Sequence, residues 1–166
     1  MDVVAAKPQP FQAFLDEHRE PVLAFLRGMV GAVEAEDCLQ ETFLAALRAY
    51  PRFDGRHPRA WIMTIARRKA IDSARERARR PEPVAAVELA LDGAEPGRGM
   101  SSGDAEVWQA VAALPEGQRA AVLLRFAVDL RYREVGEALG CSEEAARQRV
   151  SEALRSVRGE ITAREA

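Results

Sequence analysis

The sequence predicts an all-α protein: two small helical domains joined by a flexible linker, the second containing a helix-turn-helix. Three observations carry that expectation. Apolar residues recur at spacings of three and four, and no segment alternates with a period of two over strand length. A Pro-, Gly- and Ser-rich stretch at 81–103 holds Glu82, Glu88, Asp92 and Glu95 against a single base, Arg98. Near the C-terminus, "EVGEALGCSEEAARQRV" strings together a short apolar helix pattern, a glycine turn and a capped longer helix. A chain of 166 residues that is 48% hydrophobic can form one compact domain or two small ones. The expected division is 8–80, a linker at 81–103, and 104–160.

The elements follow in order. Residues 11–28 carry Phe11, Phe14, Leu15, Leu23, Phe25 and Leu26 at helical spacing, with Pro21 expected to break or kink the helix. Residues 34–49 carry Cys38, Leu39, Phe43, Ala46 and Leu47, and the helix should stop before Pro51. "PRFDGRHPR", 51–59, reads as a loop. A helix then runs from about Pro58 to Arg79 with Trp61, Ile62, Ile65, Ala66 and Ile71. Within the linker, "VAAVELAL" allows one weak helical turn. In the second domain Val107, Trp108, Val111 and Leu114 share a face, and Pro115 marks a boundary. A helix from about Glu116 carries Ala120, Val122, Leu123, Leu124 and Phe126. A shorter one carries Val135, Ala138 and Leu139; Gly140 ends it and Ser142 caps the last helix.

The faces of that last helix can be separated at 3.6 residues per turn. Ala146, Val150, Ala153, Leu154 and Val157 form the inward stripe. Glu144, Gln148, Ser151, Glu152 and Arg155 form the outward one, with Arg147 and Arg149 at its flanks. In a helix-turn-helix the second helix enters the major groove. Gln148 suits adenine, and Arg147 or Arg155 suits guanine or phosphate. Glu143 and Glu144 suit the positive end of the helix dipole. The same pattern also fits a solvated helix of a protein-interaction bundle.

"RAWIMTIARRKAIDSARERARR", 59–80, is the basic helix: Arg67, Arg68, Lys69, Arg75, Arg77, Arg79 and Arg80 face only Asp72 and Glu76. Such a run is commonly a solvated face. Arg56 and His57 precede it in the loop, and Trp61 lies near its start, a combination that suits opened or single-stranded DNA. The spacing of Trp61 with Ile65 favours a core role for the ring. "EAEDCLQETFLAA", 34–46, is acidic beside Leu39, Phe43 and Leu44, which points to a protein partner or to an ordinary amphipathic helix.

Other functions are disfavoured. The net charge is only −2, yet the charges are segregated along the chain, so nucleic-acid binding stays open. No apolar run reaches membrane-spanning length, and "MDVVAAKPQP" lacks the signal-peptide pattern, so a cytoplasmic protein without membrane insertion is expected. Cys38 and Cys141 belong to no CxxC and read as reduced thiols. His18 and His57 supply no ligand spacing. We expect no metal, no cofactor, no small-molecule substrate and no enzymatic activity.

Three segments, "EAEDCLQETFLAALRAYPRF", "RAWIMTIARRKAIDSAR" and "LPEGQRAAVLLRFAVDLRYREVGEALGCSEEAARQRVSEALR", resemble regions two and four of bacterial RNA polymerase sigma factors of the extracytoplasmic-function (ECF) group. The resemblance spans nearly the whole chain outside its first residues and the linker. It implies a factor that binds core RNA polymerase, directs it to specific promoters and helps open the −10 element. By resemblance, Asp37, Gln40, Glu41, Phe43 and Leu44 would dock on the polymerase; Arg56, His57, Trp61, Arg67 and Arg68 would open and read the −10 element; and Arg147, Gln148, Arg149, Ser151 and Arg155 would read the −35 duplex. The implied partners are core RNA polymerase, promoter DNA and an anti-sigma protein. The sequence departs from the family pattern at Arg68, where many members have asparagine, and at Arg131, where Ser or Thr is usual. It departs again at Glu144, Ala145 and Ala146 and at Glu152, in place of Gly-Thr-Val and a base. These departures imply altered promoter preference or a weaker −35 grip. An operator-binding regulator and a degenerate sigma-like interaction module remain the alternatives.

Overall fold

A computed structural model describes residues 9–80 and 102–166. The linker expected at 81–103, with its weak turn in "VAAVELAL", lies outside them except for its last two residues, which already open a helix. Every regular element among the described residues is helical.

The first module contains α1 (Phe11–Val30), α2 (Ala32–Ala49) and α3 (Pro58–Arg79). Gly31 separates α1 from α2 at φ +85°, a conformation that side chains rarely adopt. α1 runs unbroken through Pro21, against expectation. A mid-helix proline costs about 3 kcal/mol. Phe14 and His18 before it, and Val22, Leu23, Phe25 and Leu26 after it, are all buried and hold the helix together across it. α2 ends at Ala49, and a short 3₁₀ turn, Tyr50–Arg52, takes in Pro51. One end of the module is an aromatic cluster. The Phe53 ring stacks on Trp61 at 4.4 Å, and the Phe14 ring meets Trp61 edge-on at 5.6 Å.

The second module contains α4 (Ser102–Ala112), α5 (Glu116–Val122), α6 (Tyr132–Leu139) and α7 (Glu143–Glu165). α7 packs on α4, α5 and α6 through Ala146, Val150, Ala153 and Val157, with Leu154 half-buried beside them. Between α5 and α6 the chain makes a wide π-helical turn, Leu123–Ala127, closed by the Val128 N–H on the Leu123 carbonyl at 3.1 Å. The turn inserts a residue into the helical ladder. That shift of phase explains why Leu123 and Leu124 are buried while Phe126, expected among them, is 53% exposed.

Two other apolar expectations fail for a different reason. Val107 lies on the stripe of Val111 and Leu114 but one turn earlier, where the face outruns its cover. Leu47 joins Leu44 and Val33 on the outward side of α2, while Phe43 and Ala46 turn inward. α2 is apolar on both sides, so spacing alone could not say which side is covered.

The modules pack on each other. α3 lies against α6, and α1 lies against α5 and the wide turn after it. The buried apolar residues form one continuous cluster through both.

Candidate nucleic-acid interface

The helix-turn-helix is built from α6 and α7. Gly140 closes α6 in the left-handed region at φ +69°. The Ser142 hydroxyl accepts from the Ala145 N–H at 3.1 Å and caps α7. Gly136 fixes the angle between the helices: a Cβ there would lie 2.7 Å from the Cys141 carbonyl oxygen. At the start of α6 the Glu134 carboxylate accepts from the Arg131 N–H at 3.0 Å. That is half a capping box. A guanidinium has no acceptor with which Arg131 could complete it, as Ser or Thr would.

The outward face of α7 is pre-paired. Arg147 bonds Glu143 at 3.1 Å and lies 4.4 Å over the Tyr132 ring, which Arg125 also faces at 5.2 Å. Gln148 donates to Glu152 at 2.9 Å. Ser151 and Arg155 are exposed and Arg149 is half-buried. Glu143 and Glu152 are therefore partners of Arg147 and Gln148, the side chains expected to read the duplex, and Glu144 stands exposed beside them. Exposed pairs four residues apart are worth only about 0.3–0.5 kcal/mol, so a nucleic acid can displace them.

In the first module, Arg56 and His57 stand exposed in the loop before α3. Asp54 accepts from the Arg56 N–H at 2.8 Å and shapes that loop. His57 is held at φ +46°, unusual for a residue with a side chain, immediately before Pro58 opens the helix. Its ring lies 3.8 Å from Glu137 of α6. Trp61 is half-buried in the aromatic cluster. Arg68 is exposed. Arg67 is not free: its guanidinium makes a two-pronged contact with Glu116 of α5 at 2.8 and 3.0 Å. Further along α3, Arg77 bonds Glu34 of α2 at 3.1 Å, so the basic run is not merely a solvated face.

On α2, Asp37, Gln40, Glu41 and Leu44 are exposed on one side, with Val33 and Leu47. Phe43 is corrected: it is 7% exposed and belongs to the core, because its position turns it toward the buried stripe of Leu39 and Ala46. Sequence reasoning also missed Arg59, which donates to the Val128 carbonyl at 2.5 Å. It missed Arg119, which donates to the Met29 carbonyl at the end of α1 at 3.1 Å. These contacts join residues 69 and 90 positions apart, and no local pattern announces them.

Cys38 is buried, and burial pushes its thiol up from the ordinary range. Among the described residues no group of His, Cys, Asp and Glu is arranged to hold a metal, and no helix is long and apolar enough to cross a membrane.

Family models for sigma-70 region 2 and sigma-70 region 4 match residues 14–80 and 104–157. The ECF RNA polymerase sigma factor SigC of Mycobacterium tuberculosis is 34% identical over 145 residues, covering 86% of this chain and 78% of that protein. The RNA polymerase sigma factor CarQ of Myxococcus xanthus is 32% identical, covering 91% and 90%. The chain belongs to the ECF RNA polymerase sigma factors. This sigma factor also shares its fold with solved relatives. The sigma factor RpoE of Bartonella quintana, solved with the anti-sigma factor NepR, matches at TM-score 0.74 and 24% identity over 92% of this chain and 96% of that one. CnrH, solved with the cytosolic domain of CnrY, matches at TM-score 0.68 and 23% identity over 92% and 88%. As a family, sigma factors are transcription initiation factors, and the two matched regions of this sigma factor coincide with α1–α3 and with most of α4–α7.

Proposed function

We propose that this chain binds core RNA polymerase, directs it to specific promoters and helps open the −10 element, by binding alone and without covalent chemistry. The observation that carries the reading is the pairing of two family modules, in family order, each with an exposed polar helix face. The exposed side of α2, with Asp37, Gln40, Glu41 and Leu44, is the polymerase-docking surface. Arg56, His57, Trp61, Arg67 and Arg68 serve the −10 element. Trp61 does so by holding the loop through its stack on Phe53. Arg147, Gln148, Arg149, Ser151 and Arg155 serve the −35 duplex. Core polymerase, promoter DNA and an anti-sigma protein are the partners, the last supported by the solved RpoE of Bartonella quintana, which is in complex with the anti-sigma factor NepR. The chain works in the cytoplasm, where polymerase and promoter DNA are, and is not an enzyme. Affinity for DNA without polymerase should be low, because the net charge is only −2 and the basic residues of α3 and α7 are partly paired.

Run-off transcription with core polymerase and genomic DNA tests the reading. Discrete start sites are expected, and Arg147→Ala with Gln148→Ala should abolish or redirect them. A complete absence of specific starts overturns it.

A further inference from the structure

Glu152 is an acid on a face proposed to meet phosphates. Its side chain is half-buried on α7, one turn after Gln148. Among the described residues it forms no ion pair, although Arg149 and Arg155 lie three positions to either side, a spacing at which helical ion pairs form. Its carboxylate instead accepts from the Gln148 amide nitrogen at 2.9 Å. Arg147 is placed by other groups: Glu143 holds it from the preceding turn, and its guanidinium lies over the Tyr132 ring.

The chemistry of the Gln148–Glu152 pair fixes which way the amide points. An ionised carboxylate only accepts, so the amide nitrogen has to face it and the carbonyl oxygen has to face away. A glutamine amide has two N–H donors and one carbonyl. With one N–H on Glu152, one N–H and the carbonyl remain for a base. The adenine edge in the major groove presents their complement, N7 as acceptor and the N6 amine as donor. Guanine presents O6 and N7, both acceptors, and its O6 would meet the outward carbonyl oxygen. In water a side-chain contact of this kind is weak. In a groove it persists, because breaking it would leave a desolvated carboxylate beside phosphates with no donor.

We infer that Glu152 is a positioning residue for base selection: by holding the Gln148 amide nitrogen it turns the Gln148 carbonyl outward, and so sets α7 to take adenine and reject guanine at one position of the −35 duplex. The inference rests on the −35 reading of α7 and adds which base is selected there and what enforces the choice. Glu152 itself touches no base.

Glu152→Gln tests this with little change of shape or helix propensity. The variant side chain donates as well as accepts, so the Gln148 amide is free to turn over and offer its nitrogen to guanine. The full-length wild type, Glu152→Gln, Gln148→Ala and the double variant are each combined with core polymerase and a template library randomised over a promoter-length stretch, and the transcribed templates are sequenced. The wild type should favour adenine over guanine about tenfold at one position, as expected of a good bidentate contact. Glu152→Gln should bring that ratio near parity and leave the preferences at other positions unchanged. Loss of a negative charge beside phosphates should raise the yield on all templates alike, so it does not enter the ratio. Gln148→Ala should erase the preference, and adding Glu152→Gln to it should change nothing further. A wild type without a Gln148-dependent adenine preference overturns the inference, as does an unchanged ratio in Glu152→Gln. A Glu152→Gln effect on base choice that survives in the Gln148→Ala background also overturns it, and makes Glu152 a direct reader of a base. Duplexes from the same library captured by each chain without polymerase are sequenced in parallel. If no sample transcribes, the sigma-factor reading fails, and the ratios among captured duplexes still decide the role of Glu152.

Discussion

His18 is the residue whose role the sequence hid most completely. Its helical position predicts only a place beside Phe14 and Leu15. The structure buries the ring to 2% exposure, 4.4 Å from the Phe14 ring. Burial lowers its pKa; nearby Glu17 works against the shift and Arg59 with it. A lowered native pKa means the unfolded chain binds the proton more readily. The contribution of His18 to stability is therefore present above the ordinary histidine range and lost as pH falls through it. Thermal midpoints should drop between about pH 7 and pH 5, and His18→Gln should flatten that slope. Gly136 is legible only in part. The spacing marks a short helix, but the need for a bare Cα appears only where the Cys141 carbonyl comes close. Gly136→Ala should cost about 1–3 kcal/mol in urea unfolding, since backbone rather than a pliable side chain must move.

At the scale of elements, the long helices were readable and their outward faces less so. The 58–79 helix begins and ends where Pro58 and the run to Arg79 place it. The caps at Gly140 and Ser142 are local chemistry and were visible in one dimension. The wide turn after Val122 was not, because a π-helical ring leaves the same apolar letters as a regular helix. α2 shows the limit most clearly. Its apolar residues cover two sides, so the sequence could not say that Phe43 is core while Leu44 and Leu47 are surface. The exposed mixture of Val33, Leu44 and Leu47 with Asp37 and Glu41 is an amphipathic stripe, and it is the docking surface proposed above. Asp37→Lys with Glu41→Lys should weaken core polymerase capture at least tenfold while far-ultraviolet circular dichroism stays unchanged. Unaltered capture places the docking surface on another element.

For the whole molecule, the two-module plan was legible, and the order of motifs carried it. The packing of one module on the other was not. It depends on Arg67 with Glu116, Arg59 with Val128, and Arg119 with Met29, pairs separated by 49 to 90 residues. No alternation or cap encodes such a meeting; only the fold does. Because the buried cluster is continuous through both modules, calorimetry of the wild-type chain should give one cooperative transition. Two resolved transitions in the wild type would mean that the modules fold and melt separately.

The wide turn at Leu123–Ala127 has one more consequence. It carries one residue more than a regular helix needs, and each residue in a helix is worth about 100° of rotation. α5 before it holds Glu116 and Arg119, which grip the first module; α6 and α7 after it form the helix-turn-helix proposed to read duplex DNA. The turn therefore sets the phase at which α5 hands the chain to the segment leading into α6. Deleting Ala127 would let the ladder close regularly and shift the chain that enters α6, so the packing of α6 on α3 should be strained and the thermal midpoint of the variant should fall. A residue gained or lost at this point thus bears on how the proposed −35 helix sits without altering any side chain on it.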